Sequence, residues 1–547
     1  MAEYEIDVER GSSYRNDDNN KCAIEDDKIP EAEEIEYLYL TFDVPIPTPA
    51  GLASPHPGQS PPPPCPNLKK YASPFLWPKS RKTVTTMICC AVTMMASYAA
   101  GEYTPAAMHL MEKWHISRVV YNLGITFYTL GFGIAPMILA PFSEFNGRRP
   151  IFLLSGIIFT VCLIGCGVTE SLAGMFLARF FLGVGGSTFS TMIGGVISDI
   201  YHAEVRNAPM AWYSGFVFFG TGLGPLVSGF IPGRASWRWI YYSQAIASGV
   251  LVVIIFFFMT ETRGSVLLSR KAKALNRYYE KLEAAGYYGV VFDSDGSIEK
   301  QRVQRIRWKV KSDEERESLI KMVTVSCTRP FHLLFTEPVV FFFSLWAAFS
   351  WAILYLQFSS IPLVFQTNYH FNLEQSEAVC SAMSIGAMII TPISIYQEKL
   401  AARLGKLSTS PEGRLYFPCA MSILLPVGLF WFGWTSLVHH WIVPALAVAC
   451  STMGIFSVYL AVFNYFADTY HRYASSAIAA AGFSRNMLAG VFPLVTNALF
   501  NNLGFPAASS LLGGIGIGLT VVPWVLVFYG PQIRARSKFA SELTHQH

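Results

Sequence analysis

The sequence predicts an all-α membrane protein in which twelve helices cross the bilayer as two halves of six. Three observations support this fold class. Of the 547 residues, 52% are hydrophobic and only 14% are charged, whereas about a quarter of the residues in a soluble domain are charged. Twelve stretches are long and apolar enough to span a bilayer. One residue pattern also occurs twice, about 270 residues apart.

The first region, residues 1–80, is predicted to be a disordered tail. It holds thirteen of the 32 prolines and fourteen of the 37 acidic residues. Such a segment cannot bury enough apolar surface to offset the conformational entropy that folding removes.

The twelve predicted spans each contain the roughly 20 apolar residues that a bilayer requires. Six lie in an amino-terminal half, residues 81–262, and six in a carboxy-terminal half, residues 337–530. In chain order they cover residues 83–105, 119–140, 150–169, 173–197, 209–231, 238–260, 338–361, 378–396, 415–434, 441–463, 475–500 and 507–529.

A polar loop, residues 263–336, separates the halves, and a short tail, residues 531–547, follows them. Within the loop, residues 267–286 combine helix-forming composition with mixed apolar and basic positions. We expect a short helix along the inner membrane surface. A docking site for a regulatory partner is the alternative.

The repeated pattern predicts that the two halves are related by duplication. Asp199 and Asp468 each follow a glycine by fourteen residues, and they precede Pro225 and Pro493 by 26 and 25 residues. Several matches at nearly constant spacing are typical of secondary transporters.

The distribution of lysine and arginine predicts the orientation. If the amino terminus is cytosolic, 35 of the 41 basic residues fall on the cytosolic side. Cytosolic loops of membrane proteins carry this excess, so both termini are predicted to be cytosolic.

Several other functional classes are disfavoured by the sequence. The ten cysteines show neither metal-ligand spacing nor a disulfide framework. No GxSxG, HExxH or phosphate-binding loop occurs. We therefore expect no cofactor, no metal, no nucleic-acid partner and no enzymatic activity.

One charge lies where the surroundings are apolar. Arg179 stands inside the fourth predicted span, and a guanidinium in hydrocarbon is costly unless it faces a partner or a wet cavity. We interpret it as part of a transport pathway. The alternative is an arginine that only ties helices together.

Three motifs in order carry a resemblance to a known family. They are ALAPFSEFNGRRPIF after the second span, LARFFLGVGG in the fourth and GTGLGP in the fifth. Together they resemble the major facilitator superfamily, and more narrowly its fungal drug:proton antiporter branch with twelve spans, which includes multidrug and secondary-metabolite efflux pumps and polyamine-transporter relatives. The resemblance covers the chain after about residue 70 and implies the major facilitator fold.

The resemblance assigns roles to two groups of residues near the cytosolic side and in the fifth span. Charge pairs in the loop would latch one state and break as the inner side opens. The latch residues are Glu144, Gly147, Arg148, Arg149, Asp199 and Arg206. The antiporter motif of the fifth span, which indicates export, corresponds to Gly220, Gly224, Pro225 and Gly229.

The resemblance also links Arg179 to proton coupling, with Glu102 as its best acid partner in the amino-terminal half. A fixed positive charge stabilises the ionised form of a nearby carboxyl. Glu102 lies toward the outer end of the first span, so an external position is the alternative. The predicted cavity residues are Tyr98, Tyr355, Gln357, Asn464, Arg485 and Asn486.

From these observations we expect a proton-coupled exporter of hydrophobic small molecules that works by alternating access. Drugs, toxins and fungal secondary metabolites fit an aromatic cavity with few carboxylates. The alternatives are a polyamine or nutrient porter and, outside transport, a membrane-embedded sensor or enzyme. We expect protons, membrane lipids and the small molecule as partners, a monomer, and a plasma-membrane location, with vacuolar or vesicle membranes as alternatives.

Overall fold

The computed structural model describes residues 35–49, 61–202, 205–287, 289–292, 302–314, 318–403, 415–437, 439–470 and 473–536. The rest of the predicted 1–80 and 531–547 tails, together with His471 and Arg472, lies outside these ranges. The chain forms two compact units. The larger unit comprises Tyr39–Val44, Pro66–Leu275 and Lys309–His547, and the smaller one Met1–Leu38, Pro45–Cys65 and Asn276–Trp308.

Helices dominate the described residues. The amino-terminal half contains α1 (Lys79–Gly101), α2 (Ala107–Trp114), α3 (Arg118–Asn146), α4 (Arg148–Val168), α5 (Leu172–Thr191), α6 (Ile193–Ile200), α7 (Asn207–Gly229) and α8 (Arg238–Phe258). Between the halves lie α9 (Gly264–Ala284), α10 (Lys311–Glu314) and α11 (Leu319–Thr336). The carboxy-terminal half contains α12 (Pro338–Tyr369), α13 (Leu373–Ala378), α14 (Ser381–Arg403), α15 (Tyr416–Ser422), α16 (Leu424–Thr435), α17 (Ile442–Tyr470), α18 (Ala474–Leu503) and α19 (Phe505–Arg536).

Five short strands accompany the helices: β1 (Glu36–Tyr39), β2 (Thr48–Pro49), β3 (Val290–Phe292), β4 (Arg302–Gln304) and β5 (Ile306–Lys309). β1 pairs with β5, and β2, β3 and β4 form a second sheet. β1 and β2 lie in the tail that we predicted to be disordered, so the structure differs from that prediction there. Half-buried and exposed side chains alternate along Glu36–Tyr39, as expected for a strand with one covered face.

The smaller unit is held together partly by charge. Glu283 near the end of α9 accepts hydrogen bonds from Arg305, at 3.0 Å, and from Arg307, at 2.8 Å. The same helix contributes Asn276, whose side chain donates to the carbonyl of Trp308 at 2.9 Å. α9 corresponds to the helix predicted over 267–286, and its place at a membrane surface stays a prediction.

Eleven helical segments within the described residues are long and apolar enough to span a membrane. The fifth predicted span is the exception, although α7 has 23 residues and the required length. Its apolar content is low because it carries five glycines and several hydroxyl side chains. Together with the other eleven it supplies two sets of six, so the all-α membrane architecture is confirmed.

The internal repeat is visible in how equivalent helices pack. A Cβ added at Gly185 in α5 would lie 2.8 Å from the backbone nitrogen of Phe159 in α4. A Cβ added at Gly454 in α17 would lie 2.2 Å from the backbone nitrogen of Leu425 in α16. Each glycine therefore lets the fourth membrane span of its half approach the backbone of the third span closely.

We call the end of the helix bundle that carries the α3–α4 turn the basic face, and the other end the opposite face. Hydrogen bonds between helices join the two halves. Asn122 of α3 donates to the carbonyl of Pro493 in α18 at 2.8 Å, and Thr126 donates to the carbonyl of Gly490 at 2.8 Å. Ser384 of α14 donates to the carbonyl of Phe219 in α7 at 2.8 Å.

Candidate functional site

Arg179 is enclosed by the ends of other helices. The Ser171 hydroxyl accepts from the Gly174 N–H at 3.1 Å and starts α5, which carries Arg179 two turns later. The guanidinium is fully buried and donates to the carbonyls of Ala99, at 3.0 Å, and Gly124, at 3.4 Å. Ala99 belongs to the last turn of α1, where carbonyls lack helical partners and the dipole favours a cation.

Aromatic rings complete the enclosure of Arg179. The guanidinium carbon lies 4.6 Å from the ring centroid of Tyr103 and 4.7 Å from that of Tyr128. Tyr103 stacks on Tyr121 with the ring centroids 4.3 Å apart, and each hydroxyl donates to the other residue's carbonyl. These rings fix the arginine in place and add cation–π attraction.

Glu102 lies beside this arginine and is also fully buried, so it does not occupy an exposed external position. Its Oε1 lies 4.0 Å from Arg179 Nη1, and neither carboxylate oxygen has a hydrogen-bond partner among the described residues. The structure therefore brings together the two residues that we expected to act in proton coupling. The Arg179 guanidinium can balance the charge of the carboxylate, and both carboxylate oxygens can still accept a proton.

At the predicted latch the structure has a charge network that contains one expected acid, Asp199, and one that was not expected, Glu261. At the basic face, Arg148 Nε donates to Asp199 Oδ2 and Arg263 Nη1 donates to Asp199 Oδ1, both at 3.3 Å. Glu261 accepts the backbone N–H of Arg148 at 2.8 Å and those of Thr262 and Arg263 at 3.1 and 3.0 Å. Sequence reasoning missed Glu261 as a site residue.

Gly147 is required by this network for two reasons. Its φ of 101° is strained for any residue with a Cβ. A Cβ there would also lie 2.1 Å from Glu261 Oε2. The glycine therefore lets α3 turn into α4 while the carboxylate of Glu261 caps the first residue of α4.

The other latch residues lie apart from the network. Glu144 is exposed and, within the described ranges, makes no ion pair. Arg149 donates to the carbonyl of Phe256 at 2.7 Å, which ties α4 to α8. Arg206 lies just before α7 and is half-buried. Their part in a latch remains a prediction.

The glycines of α7 divide between two faces of the helix. Cβ atoms at Gly220 and Gly224 would lie 2.4 and 2.5 Å from the carbonyl oxygens of Met94 and Tyr98 in α1, within the same half. Pro225 packs on Gly101 at the end of α1. This face carries most of the antiporter motif.

The second face of α7 meets the other half. Cβ atoms at Gly215, Gly222 and Gly229 would approach Thr391 Oγ1, the carbonyl of Cys380 and Glu377 Cβ to 2.3, 2.6 and 2.6 Å. These glycines recur every seven residues, so they form one stripe along the helix. We call Gly215, Gly222 and Gly229 the glycine seam. Only Gly229 was in the predicted motif.

Another buried carboxylate, which sequence reasoning missed, lies at the opposite-face end of the seam. Glu377 is 1% exposed, its Oε1 has no hydrogen-bond partner within the described residues, and Arg118 acts on it electrostatically from the start of α3. Nearby, Arg234 and Glu374 form an exposed ion pair at 3.3 Å. Glu377 stands at the polar edge of the predicted span 378–396, where an exposed carboxylate would be expected, so only the packing reveals its burial.

The predicted cavity residues do not form one cluster. Gln357 donates to Ser451 at 2.7 Å and lines a small crevice within the carboxy-terminal half. Asn486 donates to the carbonyl of Gly482 on its own helix at 2.8 Å. Tyr98 is buried and Asn464 is half-buried. Tyr355 lies within electrostatic reach of both Arg179 and Arg485.

Arg485 forms a centre of its own. Its guanidinium carbon lies 4.3 Å from the ring centroid of Trp351 and 5.1 Å from that of Tyr459. The Tyr459 hydroxyl is 3.1 Å from that of Tyr213 in α7, so this centre touches both halves.

The chain is similar to known proteins in both its sequence and its fold. Residues 86–493 match the Major Facilitator Superfamily. The chain belongs to this superfamily. It is 32% identical over 475 residues to the major facilitator superfamily multidrug transporter mdrA of Aspergillus fumigatus, covering 86% of this chain and 74% of that one. It is also 32% identical over 470 residues to the probable drug/proton antiporter YHK8 of Saccharomyces cerevisiae, covering 84% and 86%.

Solved structures agree on the fold. The xylose transporter XylE of E. coli, in a partially occluded inward-open conformation, matches with a TM-score of 0.55 at 13% identity, covering 81% of this chain and 98% of that one. At this identity the match concerns the fold alone. The protein is therefore a multi-pass membrane protein with the major facilitator fold, as the sequence predicted.

Proposed function

We propose that this protein is a proton-coupled exporter of hydrophobic organic molecules. One observation carries the proposal: Glu102 and Arg179 are fully buried 4.0 Å apart, and the carboxylate oxygens have no hydrogen-bond partner in the described structure. Similarity to proteins named as multidrug transporters and drug/proton antiporters supports export in exchange for protons.

In this mechanism the protonation state of Glu102 decides which arrangement of the two halves is favoured, and this couples proton movement to cargo movement. A proton that enters from the opposite face forms an O–H bond on the carboxylate and leaves Arg179 without its counter-ion. Because a buried unpaired charge is costly, this state favours a different arrangement of the two halves. The proton leaves Glu102 toward the basic face, and the charged pair is restored.

Alternating access would use the contacts described above. Hydrogen bonds between α3 and α18, and the glycine seam against α13 and α14, close the opposite face. The network of Arg148, Asp199 and Arg263 lies within one half at the basic face, where it would hold the α3–α4 turn during movement. We propose that Glu144, Arg149 and Arg206 add contacts in the other state.

The membrane location and assembly are parts of the same proposal. We place the basic face and both termini in the cytosol, and the protein in the plasma membrane as a monomer surrounded by lipid. A polyamine porter would require several buried acids close together. Glu102 and Glu377 belong to separate clusters, which favours a cargo without multiple positive charges.

The proposal is tested by substrate efflux in vesicles. Purified protein is reconstituted with a fluorescent hydrophobic dye, and a pH gradient is imposed. We expect gradient-driven dye movement for the natural sequence and about a hundredfold less for Glu102→Gln, which keeps the shape but cannot exchange a proton. Glu112→Gln, on the exposed surface of α2, is the matched control. Equal gradient-driven transport by Glu102→Gln would contradict the proposal.

A further inference from the structure

Arg485 is a buried cation without a charged partner. It is 3% exposed, and neither Nε nor Nη1 has a hydrogen-bond partner among the described residues. Within the same ranges no carboxylate lies within 4.0 Å of it. Trp351, Tyr459 and Phe463 surround the guanidinium at 4.3, 5.1 and 6.0 Å.

Aromatic rings alone leave this arginine incompletely satisfied. They offer attraction to the faces of the guanidinium plane, but they accept none of the N–H groups at its edge. Arg179 is better satisfied, because it has two carbonyl acceptors and a nearby carboxylate, and among the described residues only its Nη2 lacks a hydrogen-bond partner. An intramembrane cation that lacks them is expected to face a cavity or a ligand.

Open space adjoins the side of α18 that carries Arg485. Gly482 lies almost one helical turn earlier on α18, and a Cβ there would meet no atom within 4 Å. Residues three apart share one side of a helix. The neighbouring rings also join both halves, since Phe218 of α7 packs against Trp351 with the centroids 5.4 Å apart. A ligand here would contact parts that move relative to one another.

We propose that Arg485 anchors a binding site for organic anions, in which a carboxylate or similar oxyanion accepts its free N–H groups while Trp351, Tyr459 and Phe463 hold an aromatic body. The inference rests on the proposed function only in taking this ligand as the cargo. Charge-assisted hydrogen bonds to a buried guanidinium are among the stronger polar contacts in proteins, so the negative charge should decide affinity.

The test compares two ligands of the same size and different charge. Naphthoate carries a carboxylate, and naphthamide carries a neutral amide on the same rings. Binding to the purified full chain is measured by equilibrium dialysis without any pH gradient. We expect naphthoate to bind about tenfold more tightly than naphthamide, and Arg485→Gln to remove about tenfold of the naphthoate affinity while changing naphthamide binding by less than about twofold.

Two further variants keep the test decisive. Arg403→Gln removes an exposed arginine at the end of α14 and should change neither ligand's binding. Arg485→Lys retains the positive charge and should keep a preference for naphthoate, which decides the question if Arg485→Gln does not fold. Absent naphthoate binding, equal binding of the two ligands, or an equal loss of both in Arg485→Gln would overturn the inference.

The same measurements separate this inference from the proposed function. Naphthoate that binds through Arg485 but is not moved by a pH gradient would contradict proton-coupled export and leave the anion site standing. Gradient-driven export of neutral dyes, with no dependence of naphthoate binding on Arg485, would contradict the anion site alone.

Discussion

The two halves of the protein each bury an arginine, and they solve its electrostatic problem in different ways. Arg179 has a carboxylate at 4.0 Å, two carbonyl acceptors and two aromatic rings at 4.6 and 4.7 Å, and within the described residues only its Nη2 lacks a hydrogen-bond partner. Arg485 has three rings around it, and its Nε and Nη1 have no acceptor in the part of the chain that the structure describes. Taking either charge out of water is costly.

The difference suggests a division of labour. The Glu102–Arg179 pair has little net charge, so it can gain or lose a proton without a ligand. Arg485 has no carboxylate beside it among the described residues, so it requires a counter-charge from a ligand. Tyr355, within electrostatic reach of both arginines, lies where the two processes would meet. Under the two proposals, the protonation cycle would belong to the amino-terminal half and ligand recognition to the carboxy-terminal half.

The largest effect is expected at Arg179. In Arg179→Ala, Glu102 loses its counter-ion and would hold its proton throughout the cycle, so gradient-driven export should fall to background while ligand binding remains measurable. Arg179→Lys should insert normally but impair coupling, because an ammonium cannot reach both carbonyls while stacking between the rings.

Surface abundance, ligand binding and gradient-driven transport are measured for both Arg179 variants. If the arginine serves only as a tie between helices, the alanine variant would fold poorly and the lysine variant would transport normally. That result would remove the distinction between the two arginines.

A smaller effect is expected when Arg485 is given an acid. Phe463→Glu places a carboxylate at the edge of the aromatic enclosure, so Arg485 would resemble Arg179. The new charge competes with an anionic ligand, and naphthoate should bind about tenfold more weakly. Phe463→Leu keeps the site apolar and should weaken naphthoate binding only about twofold. Similar losses in both variants, measured by equilibrium dialysis, would mean that charge is not what the site recognises.

How far the sequence predicted these features depends on whether a residue's surroundings are local. The hydrophobic runs predicted the helices, and the spacing of Gly185 and Gly454 from their aspartates revealed the repeat. Arg179 was conspicuous because its neighbours in the chain are apolar. Its pairing with Glu102 needed the resemblance, since the two are 77 positions apart in the sequence.

The features that were missed depend on packing between distant segments. Glu377 and Glu261 stand in polar stretches at helix ends, where exposed carboxylates are common, and only the neighbouring helices bury them. Glu144 shows the reverse, because its motif drew attention to a side chain that the structure leaves exposed. The glycine seam was hidden because one helix carries two overlapping sets of glycines.

The smallest effect concerns the glycine seam, where α7 meets the other half. If protonation at Glu102 controls a ligand at Arg485, the halves must move against each other where Gly222 touches the carbonyl of Cys380. Gly222→Ala adds a methyl group at 2.6 Å from that oxygen, and overpacking of this kind costs about 1–3 kcal/mol. We expect gradient-driven transport to slow about threefold or more because the closed arrangement is strained, while naphthoate affinity changes less than twofold. Gly518→Ala is the matched control, since a Cβ at Gly518 in α19 meets nothing within 4 Å. If Gly222→Ala transported as fast as Gly518→Ala with unchanged thermal stability, movement along the seam would not limit the cycle, and the two arginines would have to communicate by another route.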